Sequence, residues 1–207
     1  MGIYISSHPL DDFTHEIEHF TTLSLNQLGD LNRLVNHEFS VGGIVNEILH
    51  LETRNGKGWA RFVVEDFTDQ HEFRIFGEDY LKYRHFLVVN QFVRIRIMIR
   101  QGWTNKETGK VGAPRMQYLH FEMLQNTVEN NAKKITLQLE ISQLKNENVI
   151  QFRDELNLFK GDKPLLFNVY DSGKKVKLTL NSKKQKVKIT QELLRLLDEK
   201  KWHYKLN

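Results

Sequence analysis

The sequence predicts two domains, a five-stranded β-barrel followed by a small α/β domain of βαββαβ order. Three observations lead there. Between Glu38 and Leu124, apolar and polar residues alternate in five separate runs, and a helix-spaced stretch follows the third. An asparagine-rich interval with few apolar residues comes next, at Asn126 to Lys134. Beyond it, strand-like and helix-like periods take turns to Asn207.

Residues 1–37 read as a helical junction segment. Leu10, Phe13, Ile17 and Phe20 follow helical spacing. Pro9 suits a first helical turn, and Asp11 and Asp12 suit its positive end. Thr21 to His37 forms a connector with a second helical stretch at Leu28 to Val35. Phe39, Val41, Gly43 and Val45 then begin a strand that runs to about Arg54, long enough to need a bend, which Gly42-Gly43 supplies. Asn55-Gly56-Lys57-Gly58 is a hairpin signal, because glycine and asparagine tolerate the positive φ of such turns. Trp59 to Asp66 returns, Phe67 to Gln70 turns, and His71 to Phe76 is the third strand. Glu78 to Leu87 is helical, and Gln91 to Gln101 is a strand. A loop with Gly102, Asn105, Gly109, Gly112 and Pro114 leads into the last strand, Met116 to Leu124. Three meandering strands, a helix and two strands are the order of the OB-fold, a five-stranded Greek-key barrel, here over residues 38–126.

Residues 133–207 restart as strand Ile135 to Ile141, helix Glu147 to Phe159 and strand Pro164 to Asp171. A turn at Ser172-Gly173-Lys174, strand Lys175 to Asn181, short strand Val187 to Ile189, helix Thr190 to Lys200 and strand Trp202 to Leu206 complete them. This βαββαβ order suggests a small C-terminal α/β domain of ferredoxin-like type.

Composition narrows the function classes. The 207 residues are 40% hydrophobic, enough for two cores, and include no cysteine, so disulfides and thiolate metal sites are excluded. No apolar run reaches membrane-spanning length, and no signal-peptide core opens the chain, so a soluble, cytoplasmic protein without a membrane partner is expected. Net charge is +4 but unevenly placed: Lys133 to Asn207 holds 17 Lys+Arg against 9 Asp+Glu, while Met1 to Ala132 holds 13 against 17. From Glu38 to Gln125 the balance is only 12 against 11, so any nucleic-acid binding by the barrel rests on a local patch.

Several segments together resemble the bacterial DNA polymerase III alpha subunit family. They are Tyr4-Ile5-Ser6-Ser7-His8-Pro9-Leu10-Asp11, Val41-Gly42-Gly43-Ile44-Val45, Asn55-Gly56-Lys57-Gly58, Val64-Glu65-Asp66 and Phe76-Gly77-Glu78-Asp79-Tyr80. Ser7 stands where that family usually has glycine, and Arg61 where an aromatic is common, although a guanidinium plane can also stack on a base. The resemblance implies a carboxy-terminal fragment of a DNA-directed DNA polymerase, a nucleotidyltransferase of DNA replication whose acidic metal ligands lie outside this chain. The fragment is then non-catalytic, with no cofactor of its own. The resemblance also implies an OB domain that engages single-stranded template DNA and a terminal domain that docks the clamp loader's tau-type subunit in the replisome.

An OB domain holds single strands on the face of its second and third strands and on the loops joining strands one to two and four to five, by stacking and phosphate contacts. Alternation turns Ala60, Phe62, Val64, Phe73 and Ile75 inward and Trp59, Arg61, Arg74 and Phe76 outward. Arg54 and Lys57 flank the first loop; Trp103, Lys106, Lys110 and Arg115 lie on or beside the second. The competing reading is that Trp59 and Phe76 only cap the barrel while the arginines pair with Glu65, Glu72 and Glu122. On it, the chain is purely a protein-interaction module. Arg94, Arg96 and Arg100 share one strand face, which suits a solvated or interdomain surface better than a phosphate track. His15-Glu16-Ile17-Glu18-His19 matches a zinc-hydrolase pattern, but no third ligand stands out and two surface histidines explain it as well. Adjacent Glu65 and Asp66 point to opposite strand faces, which argues against a shared metal or acid/base site. Lys174, Lys175, Lys177, Lys183, Lys184, Lys186 and Lys188 cluster on one hairpin, either as a solvated, guarded edge or as a surface for an acidic protein or a DNA backbone.

Overall fold

The computed structural model describes residues 8–104, 106–144 and 146–207, and only the backbone of Gln143, 146–148 and Lys184. The junction residues Tyr4 to Ser7, Asn105 in the long loop, and the side chain of Lys184 lie outside the described residues. The chain divides into two compact units, Met1–Thr127 and Val128–Asn207.

In the first unit a short 3-10 turn, Asp11–Phe13, leads into α1 (Thr14–Phe20), and two further 3-10 turns, Leu25–Gly29 and Leu31–Leu34, form the connector. An antiparallel sheet follows: β1 (Glu38–Glu52), β2 (Gly58–Glu65), β3 (Gln70–Phe76), β4 (Phe92–Arg100) and β5 (Arg115–Met123), in spatial order β3-β2-β1-β4-β5. Between β3 and β4 lie α2 (Gly77–Tyr83) and the 3-10 turn Arg84–Phe86. The fifteen-residue β1 pairs with β4 through its first half and with β2 through its second, so it must bend. Gly43 permits the bend: a Cβ there would sit 2.3 Å from the Glu65 carbonyl oxygen. A bulge between Val45 and Glu47 adds to it. The β1–β2 turn places Gly56 at φ +70°, as its sequence requires.

The core of this unit gathers the inward rows of all five strands, among them Ala60, Phe62, Val64, Phe73, Ile75, Ile95 and Phe121, with Tyr83 and Leu87 from the helical stretch. Leu25 and Leu28 of the connector belong to the same core. A side-chain bond links the two outer strands: the Tyr118 hydroxyl on β5 donates to the Arg74 carbonyl on β3 at 2.9 Å. Burial pushes the Tyr118 phenol up, which keeps that proton in place.

The interval Asn126 to Lys134, expected as the domain boundary, contains the division between the two units and is mostly the helix α3 (Leu124–Asn131). Its asparagines masked an apolar repeat: Leu124, Val128 and Ala132 recur every fourth residue, and all three are buried.

The second unit runs β6 (Ile135–Glu140), α4 (Asn146–Leu156), β7 (Lys160–Asp171), β8 (Val176–Val187), α5 (Gln191–Glu199) and β9 (His203–Leu206). The βαββαβ order stands, but the ferredoxin-like arrangement does not. The strands lie in order β8-β7-β6-β9, with β6 and β7 adjacent and parallel rather than split by another strand. The separate strands expected at Lys175 to Asn181 and Val187 to Ile189 are one continuous β8, paired with β7 across two irregularities. One sheet face is packed, since Ile135, Leu137 and Leu139 are buried while the alternate β6 residues are half-buried. Phe152 of α4 stacks on Trp202 at 4.0 Å, and Lys200 pairs with Glu155. Among the described residues, no helix is long and apolar enough to cross a membrane.

Candidate nucleic-acid interface

Direct antiparallel partners project from the same side of a sheet, so the register fixes what the outer face of β1, β2 and β3 presents. Leu51 opposes Trp59, and Trp59 opposes Phe76; one step along, Leu49 opposes Arg61, and Arg61 opposes Arg74. A further step places Glu47, Val63 and Glu72 in line. Trp59 and Phe76 stack with centroids 5.1 Å apart and planes 14° from parallel, leaving Phe76 53% exposed. They form an aromatic step at one end of the face. Beside it, Arg61 reaches Glu72 at 3.2 Å and Arg74 reaches the same carboxylate at 2.9 Å. The hydrogen bond from Arg74, aided by Arg61, holds the Glu72 carboxyl below the usual carboxylate range. One acid therefore partly neutralises two outward arginines, as the competing reading required for those two residues. A shallow hollow of about 370 Å³ lies next to them, lined in part by Leu49, Arg61, Val63 and Val89.

The two loops differ in build. Arg54 and Lys57 are exposed in a turn that closes through Thr53 N–H donating to the Lys57 carbonyl at 2.9 Å. In the β4–β5 loop, Trp103 is 77% exposed, and the Arg115 guanidinium lies 4.7 Å over its ring. Thr104 and Val111 form a bridge, and Gly112 N–H donates to the Trp103 carbonyl at 2.9 Å, so the root of the loop is fixed. Lys106 and Lys110 are exposed at its tip. Arg115 precedes Tyr118 by three residues on β5, roughly 10 Å of strand, and Tyr118 is bonded to the Arg74 carbonyl. The loop root thus leads into the strand whose Tyr118 is bonded to β3.

Sequence reasoning missed Leu49 and Leu51 on that face. The apolar-rich run Ile48-Leu49-His50-Leu51 hid which residues point outward, and the bulge resets the alternation just before it. The arginine stripe of β4 is not a phosphate track. Arg94 is buried, donates to the Phe20 carbonyl at 2.7 Å and pairs with Glu122 at 2.6 Å. Arg96 pairs with Glu38, and Arg100 donates to Gln117 at 2.9 Å. Asp66 also serves the fold, accepting hydrogen bonds from the Leu25, Thr68 and Asp69 amides and the Thr68 hydroxyl. His15 and His19 lie on α1, and among the described residues no group of three or more His, Asp or Glu could hold a metal ion.

Residues 135–207 match the family described as DNA polymerase III alpha subunit, C-terminal domain. The DNA polymerase III subunit alpha of Borreliella burgdorferi is 29% identical over 191 residues, which are 88% of this chain and 15% of that protein. The DNA polymerase III subunit alpha of Bacillus subtilis is 25% identical over 166 residues, 78% of this chain and 14% of that protein. The chain spans only that small share of either relative's length.

Proposed function

This chain corresponds to the carboxy-terminal part of the DNA polymerase III alpha family, and from that premise we propose that its first unit is an OB-type barrel that binds single-stranded DNA. The observation that carries the reading is the uncovered outer face of β2 and β3, where the Trp59–Phe76 step adjoins Arg61 and Arg74. Stacked aromatics hold bases of any sequence, and neighbouring cations follow the phosphates. The Tyr118–Arg74 bond supports a closed barrel, and Trp103 with Arg115 supplies the wall that the β4–β5 loop gives such domains. Within the replisome, this unit guides template DNA near a polymerase active site that lies in another part of the parent protein. The unit built on residues 135–207 docks the clamp loader's tau-type subunit. A pull-down of that subunit by the chain, and by residues 128–207 alone, tests the docking.

Binding of labelled oligo-dT to the full chain tests the DNA half. Trp59→Ala with Phe76→Ala is expected to weaken it roughly tenfold or more, since each base stack contributes about 1–3 kcal/mol. Glu72→Gln is expected to tighten it by roughly two- to fivefold at low salt, because it removes a negative charge and releases Arg61 and Arg74. No binding at low salt, or binding indifferent to both changes, leaves the unit as a protein-interaction module.

A further inference from the structure

We propose that the second unit carries a phosphate-binding site of its own, in a hollow between the end of α4 and the irregular start of the β7–β8 ribbon, and that it holds the backbone of a nucleic-acid strand. The hollow has a volume of about 470 Å³ and is lined by Arg153, Asn157, Lys160, Lys183, Gln185 and Lys186. Those residues come from separate elements. Arg153 is on α4, Asn157 in the 3-10 turn after it, Lys160 opens β7, and the other three lie near the end of β8. Lys160 and Lys163 both oppose Val187, and this break in the regular ladder brings the start of β7 to the end of β8.

Four cations line this hollow and, among the described residues, no carboxylate does. The Asp154 carboxylate beside it is held by Arg153 at 2.9 Å in an exposed pair between chain neighbours, which is weak and readily exchanged. Like charges gathered in a concavity raise the local concentration of anions. Gln185 also lines the hollow, so its side-chain amide can report on an ion held there.

The lining also selects the anion. Among the described residues no aromatic ring lines the hollow to stack a base, so its cations are offered to phosphates. The hollow is larger than one carboxylate needs, and the 17 Lys+Arg against 9 Asp+Glu of residues 133–207 favour a polyanion over an isolated ion. This site is independent of the barrel face, and its test reads it separately.

The test uses the full chain with ¹⁵N-labelled glutamine, the Gln185 side-chain amide being assigned by its loss in Gln185→Met. Pyrophosphate and oligo-dT are titrated in turn, in the wild type and in Trp59→Ala with Phe76→Ala, which disables the barrel face. Both probes are expected to shift the Gln185 amide in both proteins, and Lys183→Gln with Lys186→Gln is expected to abolish the shifts. The same double change should lower the salt dependence of oligo-dT binding by about 1.4 in the log–log slope, from roughly 0.7 per phosphate contact. No shift with either probe, or shifts that survive the lysine changes, overturns the site. A shift with pyrophosphate alone overturns its assignment to a strand, and an equal shift with poly-glutamate overturns its assignment to phosphate.

Discussion

Replacing Glu122 by leucine is expected to lower the unfolding free energy by about 3–5 kcal/mol, the usual cost of stranding one partner of a buried ion pair. Arg94 and Glu122 sit opposite one another on β4 and β5, 2.6 Å apart, with side chains 10% and 8% exposed. The leucine would leave the guanidinium buried with the Phe20 carbonyl as its acceptor, too little for a full charge. Arg94→Met combined with Glu122→Leu should recover much of the loss, because removing both charges also removes their desolvation cost. Urea denaturation of the two single variants and the double variant measures the coupling directly. A single-variant loss below about 1 kcal/mol would place the pair with exposed ion pairs and contradict the burial assigned to it.

Asp66→Ala is expected to have the next largest effect on stability, about 3 kcal/mol, as several hydrogen bonds to one carboxylate are lost together. One of its oxygens accepts from the Leu25 amide at 2.8 Å. The other gathers the Thr68 amide at 2.7 Å, the Thr68 hydroxyl at 2.6 Å and the Asp69 amide at 3.0 Å. The carboxylate therefore ties the connector to the β2–β3 turn and seats Leu25 and Leu28 in the core. Hydrogen exchange at the Leu25 amide should accelerate in Asp66→Ala far more than exchange in the centre of β4. Equal acceleration at both positions would mean that Asp66 acts on global stability without anchoring the connector.

These two residues mark where the sequence stopped being readable. Alternation sufficed for Phe62, Val64, Phe73 and Ile75, because a strand with one buried face writes its register into every second residue. The Asn55 to Gly58 turn was equally plain, since its conformation demands particular residues. Asp66 finds Leu25 across 41 positions, and Arg94 finds Glu122 across 28; no local pattern records such partners. Strand order in the second unit was hidden for a related reason. The βαββαβ sequence of elements is compatible with β7 lying beside β6 or one strand away, and the choice depends on contacts between whole elements.

The candidate site was legible in part. Trp59, Arg61, Arg74 and Phe76 were placed outward by parity alone, and the structure sets them on one face. Glu72 was among the acids that the competing reading paired with the arginines, but that one carboxylate serves both Arg61 and Arg74 follows only from the register of β2 on β3. The lysine-rich hairpin announced its charge, but only the fold brings Arg153, some thirty residues upstream, to Lys183 and Lys186.

The claim that a single strand lies across β2 and β3 and along the β4–β5 loop is tested most directly by the three tryptophan indole N–H signals during titration of the full chain with oligo-dT. Trp59 and Trp103 should shift together and saturate at one oligonucleotide concentration, while Trp202, stacked on Phe152, reports separately on the second unit. Stationary Trp59 and Trp103 signals while oligo-dT is demonstrably bound would contradict the account, since the strand would then lie elsewhere on the chain.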